Sequence, residues 1–288
     1  MTLHIVRMAG LIALLILCTF YPVLPGGYDP LAVSLSAMAQ TFGMGGLLVL
    51  PVGVAWLVTE LQNRARRKKN LAAKARGYYF ALASMMTASI VAVALVFAAL
   101  VNGGLAFAVL TLVVLCYIGS RLIPGVKLLK NAEAEKFNPA PLYLVFIPVV
   151  VLGFQLMLAS SATNMSRHRA IAQSAEIISD IEAYHAAYGR YPSSLLALHK
   201  DYKPSVVGIE QFHYAPNGQA YNLFFEQPTF VTDFGIREIV MYNRLDEHVM
   251  VSHAAWILAG APEALEARQG WHSSHDAAIP HWKSFLFD

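Results

Sequence analysis

The sequence predicts a membrane protein with five transmembrane α-helices and a C-terminal α+β domain, in which a long stalk helix packs on a small antiparallel sheet. Three observations carry that fold class. Five apolar runs, near 8–25, 43–59, 78–101, 104–120 and 141–161, contain no Asp, Glu, Lys, Arg or His. Basic residues gather in alternate loops between the runs. Past residue 161 the sequence becomes mixed in polarity, with helical and then strand-like periodicity. An apolar helix of about 20 residues matches the ~30 Å hydrocarbon core and pairs its own backbone groups, so each run reads as one span. Two domains follow: the transmembrane region, 1–161, and an external domain, 162–288, continuing from the last span.

The loops set the orientation, because Lys and Arg stay on the cytoplasmic side. Between spans one and two there is no Lys or Arg, and one acid, Asp29. The next loop holds Arg64, Arg66, Arg67, Lys68, Lys69, Lys74 and Arg76. The turn after span three, Asn102-Gly103-Gly104, is uncharged, and the loop after span four carries Arg121, Lys127, Lys130 and Lys136. With Arg7 ahead of span one, the N-terminus reads as cytoplasmic and the C-terminal domain as periplasmic, in a bacterial inner membrane. The formal charge of +3 divides into +8 for residues 1–161 and −5 for residues 162–288. Nucleic acid needs a basic patch on a folded face, and the domain that could supply one is acidic. The cluster at 64–76 reads instead as a topology determinant against anionic lipid.

Span one starts like a signal peptide, but its only small-x-small site, Ala37-Met38-Ala39, lies too far past Leu11–Phe20, so the span is expected to be retained. Residues 26–42 are expected to form a short external re-entrant or interfacial piece, since Leu31, Leu35 and Met38 recur at helical spacing. Cys18 and Cys116 lie inside spans, and the external domain has no cysteine to build a disulfide framework. No ionisable residue lies within the runs; the polar ones are Ser84, Thr87, Ser89, Thr111 and Gln155, the last suited to an interhelical hydrogen bond. Gly43, Gly45, Gly46 and Gly53 around Pro51, and Pro148 in span five, permit kinks, and Ser84, Ala88 and Ala92 form a small-residue ridge. Transporters keep ionisable groups at mid-membrane, so this bundle reads as an anchor.

Beyond span five the helical pattern continues through Ala170-Ile171, Ser174, Ile177-Ile178, Ile181, Tyr184 and Tyr188, which predicts one helix from about 142 to 188. Gly189 and Pro192 stop it. A short helix follows at Ser193–His199, capped by Ser193 or Ser194. Strands are predicted at Phe212–Tyr214 and Tyr221–Phe225 around the turn Pro216-Asn217-Gly218, then at Ile236–Asn243 and Val249–His253. A helix is expected at Pro262–Arg268, and the aromatic tail Trp271, Trp282, Phe285 and Phe287 is expected to strap over the sheet.

Within this stretch stand Ile181-Glu182-Ala183-Tyr184, Tyr188-Gly189-Arg190-Tyr191-Pro192, then Leu195 and Leu198, and later Asn217-Gly218 followed by Tyr221-x-Leu223. A membrane helix running into this segment resembles the type IV pilin and type II secretion pseudopilin group, above all the major pseudopilin. The resemblance covers about 142–245 and implies a long helix packed on a small antiparallel sheet. Members of that group have a single span after a cleaved leader, with a Gly-Phe cleavage site and a glutamate five residues on. Here four spans precede the helix, the segment before it is Lys136-Phe137-Asn138-Pro139, and span five has no acid. The resemblance therefore implies the fold of the external domain, not the filament role.

Nine of the ten histidines fall in the external domain, which raises a metal reading. The candidate ligands are His272, His275, Asp276 and His281; the His-x-x-His pair can share a metal in a helix or tight turn. Asp246-Glu247-His248 reads as a polar turn between strands, and Asp233, Glu238 and Asp246 do not reproduce the calcium loop of the major pseudopilins. Ser193-Ser194 is a helix cap before it is a nucleophile, Glu263 and Glu266 sit on a solvated helix face, and Tyr191-Pro192 reads as a core plug. No catalytic set or cofactor motif is present in the sequence. The expected function is non-enzymatic: an inner-membrane protein displaying a pseudopilin-like domain for protein interaction, in envelope assembly or secretion. Its expected partners are the lipid bilayer and a protein partner or a second copy. The alternatives are transport or sensing, with the external domain as sensor or gate, and last a metal-dependent hydrolase.

Overall fold

The charge-free runs are helical in the computed structural model, which describes residues 2–72, 74, 76–131, 137–217, 219–230, 237–248 and 271–287. Helix α1 is Thr2–Phe20, α2 Ala32–Lys68, α3 Gly77–Asn131 and α4 Ala140–Tyr188. Gly104, at φ +74, breaks α3 into two helices, at the glycine pair where the sequence placed a turn. Among the described residues, five segments are long and apolar enough to cross a membrane by length and composition: Thr2–Val23, Ala32–Lys68, Gly77–Val101, Gly103–Leu129 and Ala140–Tyr188. The chain divides into two compact units, Met1–Thr19 with Ser34–Leu158, and Phe20–Val33 with Ala159–Asp288. The two units meet at 158/159, and residues 20–33 belong to the second.

The interfacial piece expected at 26–42 does not form; Leu35 and Met38 lie in α2 itself. The sequence holds the reason in Asp29-Pro30. The Asp29 carboxylate accepts the Leu31 N–H at 2.9 Å, an N-cap bond, and proline is preorganised for a first helical turn.

In the first unit the α2 glycines serve packing rather than kinks. A Cβ on Gly46 would meet the Pro148 ring at 2.5 Å, and one on Gly53 would meet Leu144 at 3.0 Å. Gly43 faces Val151, so three glycines on one face of α2 admit α4. Gly45 faces Val91 instead. The Ser84–Ala88–Ala92 ridge is not continuous: Ser84 is buried and Ala88 exposed. Gln155 makes an interhelical bond, its Nε2 donating to Gln40 Oε1 at 2.9 Å. Gln40 Nε2 donates in turn to Ser36 Oγ, and Ser36 Oγ to the Thr19 carbonyl.

The second unit is built on α4. Its stripe of Ala170, Ile171, Ser174, Ile177 and Ile181 is buried, whereas Tyr188 is 67% exposed, so the stripe ends before the helix does. Gly189, at φ +67, closes the helix, and its N–H donates to the His185 carbonyl at 2.8 Å. The helix expected at Ser193–His199 is a single 3-10 turn, Leu195–Leu198; Ser194 holds the N-cap position without a side-chain cap bond.

The sheet runs β1 His213–Asn217, β2 Ala220–Gln227, β3 Arg237–Asn243, β4 Trp271–Asp276 and β5 Trp282–Phe287, in the spatial order β1-β2-β3-β5-β4, with every pairing antiparallel. Pro216 is tolerated because β1 is an edge strand. The aromatic tail does not strap over the sheet; it supplies two of its strands. The expected strand at 249–253 and helix at 262–268 lie outside the described residues.

Both sheet faces carry buried apolar clusters. Tyr221, Leu223, Phe225, Val240, Tyr242 and Trp282 pack with the α4 stripe, and Phe224, Ile239, Met241 and Phe285 form a second cluster. Alternate residues point to opposite faces, so the two clusters lie on opposite sides of the sheet.

Residues 20–33 pair with the second unit through a short antiparallel bridge at Pro25 and Val206. The Gly26 N–H donates to the Ser205 carbonyl, and the Val207 N–H to the Leu24 carbonyl. Pro25 therefore sits at the non-hydrogen-bonded position of the bridge, where its missing N–H costs nothing. Gly208 lies so close that a Cβ would be 2.6 Å from Pro22.

Candidate functional site

The seam between α4 and the sheet is apolar in its middle and polar at both ends. The buried middle is Ile177 and Ile181 against Leu223, Phe225 and Val240. At the end nearer the start of the stalk, the Arg167 guanidinium pairs with the buried Glu238 carboxylate at 2.5 Å. Ser284 Oγ donates to the same carboxylate oxygen. Beside them Gln227 Nε2 donates to Ser166 Oγ at 2.7 Å. Arg167 Nε and Gln227 Oε1 are buried without hydrogen-bond partners among the described residues. At the other end Arg244 donates to Glu182 at 2.7 Å. Tyr191 stacks on His185 at 4.2 Å and meets Tyr221 edge-on at 5.1 Å, the core-plug position expected of it. Pro192 accepts the Tyr214 hydroxyl through its carbonyl.

A second polar group occupies the corner after β3. The Asp246 carboxylate accepts from His281 Nδ1 at 3.1 Å. The His248 ring lies between two carbonyls, with Nδ1 3.2 Å from the Asp246 oxygen and Nε2 3.0 Å from the His281 oxygen. Burial holds the His248 pKa below its usual value, against the pull of those carbonyls. Asn243 anchors the corner, accepting from the Leu245 and Glu247 N–H groups and donating to the buried Asn222. On the outer side of α4, Lys200 and Tyr202 both donate to Asp180, and these bonds lower its pKa.

His272, His275 and Asp276 lie on β4, an extended strand rather than the helix or tight turn that a shared metal requires. His281 lies at the turn before β5 and is engaged by Asp246. Among the described residues, no three His, Cys, Asp or Glu side chains could hold a metal ion together. Glu238 and Asp246 stand at opposite ends of β3, while Asp233, Glu263 and Glu266 lie outside the described residues. Ser193 lies at a bend and Ser194 in extended backbone before the 3-10 turn.

Three buried serines of the domain donate to oxygen acceptors: Ser166 to Thr163, Ser174 to Ile171 and Ser284 to Glu238. What this arrangement does is clamp a helix to a sheet. The Arg167 clamp was not foreseen from sequence, although the signal was there. Arg167 lies three residues before Ala170 on the stripe, and Glu238 shares the inward alternation of Val240 and Tyr242. No protein-family model, no curated protein and no solved structure matches the chain.

Proposed function

We propose that the chain is a five-span protein of a bacterial inner membrane that displays a pseudopilin-like domain to the periplasm for protein interaction, without catalysis of its own. The observation that carries this reading is α4. It is one helix of 49 residues whose first part is charge-free and whose second part forms the core of the sheet domain. A span that continues as the core helix of the domain leaves no linker in the sequence between anchor and domain, which suits display. The topology has independent support. Residues 20–33 share a compact unit with the C-terminal domain, so both belong on one side of the membrane. Four crossings separate them, an even number, which agrees with five spans. The absence of Lys and Arg from 20–33 supports the periplasm as that side.

Exposed apolar side chains at the far end of the domain, Tyr188 and the 84% exposed Leu196, offer contact area for a partner. Full-length chain carrying a photo-crosslinking residue in place of Leu196, irradiated in cells, should give one discrete adduct. Crosslinking that is diffuse and no different from a control position at Lys203 overturns the reading.

A second reading, sensing or transport, draws on the buried polar line of Gln155, Gln40 and Ser36 through the bundle. Replacing Gln40 and Gln155 together by Leu separates the two readings. A display domain keeps its crosslinks, whereas a moving bundle loses its response.

A further inference from the structure

The connection between α2 and α3 is a built hairpin rather than a slack loop. α2 ends on Arg66, Arg67 and Lys68, and the chain reverses at Asn70, whose φ of +55 is a left-handed conformation that asparagine tolerates. The Lys69 and Leu71 N–H groups both donate to the Arg66 carbonyl, at 2.9 and 3.0 Å. Arg66 Nε donates to the Ala72 carbonyl at 2.7 Å. The buried Asn63 side chain then grips the returning chain, Oδ1 accepting the Lys74 N–H at 2.9 Å and Nδ2 donating to the Lys74 carbonyl at 3.0 Å.

These bonds fix the backbone and leave side chains outside. Arg64, Lys68, Lys69, Lys74 and Arg76 are exposed, and residues 61–76 contain no Asp or Glu. The carbonyls at the end of α2 favour this positive charge but do not cancel it. Leu71, at the tip among the cations, is 52% exposed, and Tyr79, at the start of α3, is 69% exposed.

We propose that this hairpin is a binding surface for anionic lipid headgroups. The inference rests on the membrane-spanning reading of the chain. Cations alone would suit any polyanion, but an exposed leucine and tyrosine among them suit the boundary between headgroups and acyl chains. There Lys and Arg reach phosphates while Leu71 enters the apolar layer. Asn63 and Arg66 hold the hairpin in shape, so the cations are presented together rather than sampled one by one.

The test uses the full chain in mild detergent, observed by native mass spectrometry with phosphatidylglycerol or phosphatidylcholine of identical acyl chains. Phosphatidylglycerol should bind at least roughly tenfold tighter, since each cation near an anionic surface contributes about fivefold. The preference should shrink as ammonium acetate is raised. Changing Lys68, Lys69 and Lys74 together to Gln should abolish most of it, and changing them to Arg should retain it. Glycerol phosphate, the headgroup without chains, should not displace the lipid; full displacement would make the ligand a soluble phosphate and overturn the proposal. Equal binding of the two lipids by the unaltered protein overturns it as well, and so does a Gln variant with undiminished preference. A chain soluble without detergent would instead refute the membrane reading.

Discussion

Arg167 on α4 and Glu238 on β3 form a buried ion pair, and fifteen residues further along the helix Glu182 meets Arg244 on the same strand extension. Fifteen residues of helix advance about 22 Å and six of strand about 20 Å, so the two pairs fix helix and strand in a single register. The pairs are not equivalent. Arg167 and Glu238 are both largely buried, whereas Arg244 is half exposed and its pair contributes little. Glu238→Leu should cost roughly 3 kcal/mol by stranding the Arg167 charge, and Arg167→Met a similar amount. The double variant should recover most of that loss, because two apolar side chains then fill the seam. Thermal unfolding of the four proteins measures the coupling. Strictly additive losses would show that the pair does not act as a unit.

The α2 glycines give a second prediction. Gly46→Ala pushes a methyl group into the rigid Pro148 ring and should lower the unfolding midpoint of the solubilised protein, despite alanine's better helix propensity of about 1 kcal/mol. Gly153→Ala meets no atom within 4 Å and should be neutral or stabilising. If the two variants behave alike, α4 does not pack into the glycine face.

The bridge between Pro25 and Val206 gives a third. A non-hydrogen-bonded antiparallel pair brings its Cα atoms to about 4.5 Å, within the range a disulfide accepts. With Cys18 and Cys116 replaced by Ala, Pro25→Cys and Val206→Cys should crosslink on mild oxidation in cells. A control pair at Pro25 and Lys69 should not. Failure of the first pair under conditions that oxidise a control cysteine pair of known disulfide geometry would separate residues 20–33 from the domain, and with them the topological argument.

Much of this fold was legible in sequence because its signals are local. Charge-free runs, the Gly189–Pro192 stop and the stripe from Ala170 to Ile181 each report within a few residues. What escaped was pairing at long range. Nothing near Trp271 or Trp282 says that these segments are strands, since β5 finds its place between β3 and β4 only after the chain returns. Nothing within 22–27 announces a strand bridge, since its partner lies some 180 residues away. The backbone under the candidate metal ligands was not legible for the same reason. His-x-x-His was weighed as a helix or turn, and the tertiary sheet made it a strand.

The last prediction concerns pH and His248. Burial lowers its pKa in the folded protein, while Asp246 and the two carbonyls oppose that shift and Lys283 adds to it. The unfolded chain therefore takes up a proton first as pH falls below about 6.5. Below that value the unfolded state binds more protons than the folded state, so stability declines on acidification until the folded pKa is passed. Above it, this residue contributes no pH dependence. The corner it occupies joins the end of β3 to the start of β5, so its loss should loosen the sheet rather than the bundle. His248→Gln, which cannot take up a proton, should flatten the fall in unfolding midpoint between pH 7.5 and 5. Other acids and histidines titrate in both proteins, so the difference between the two slopes isolates His248. Equal slopes would mean that the ring is not buried neutral at this corner.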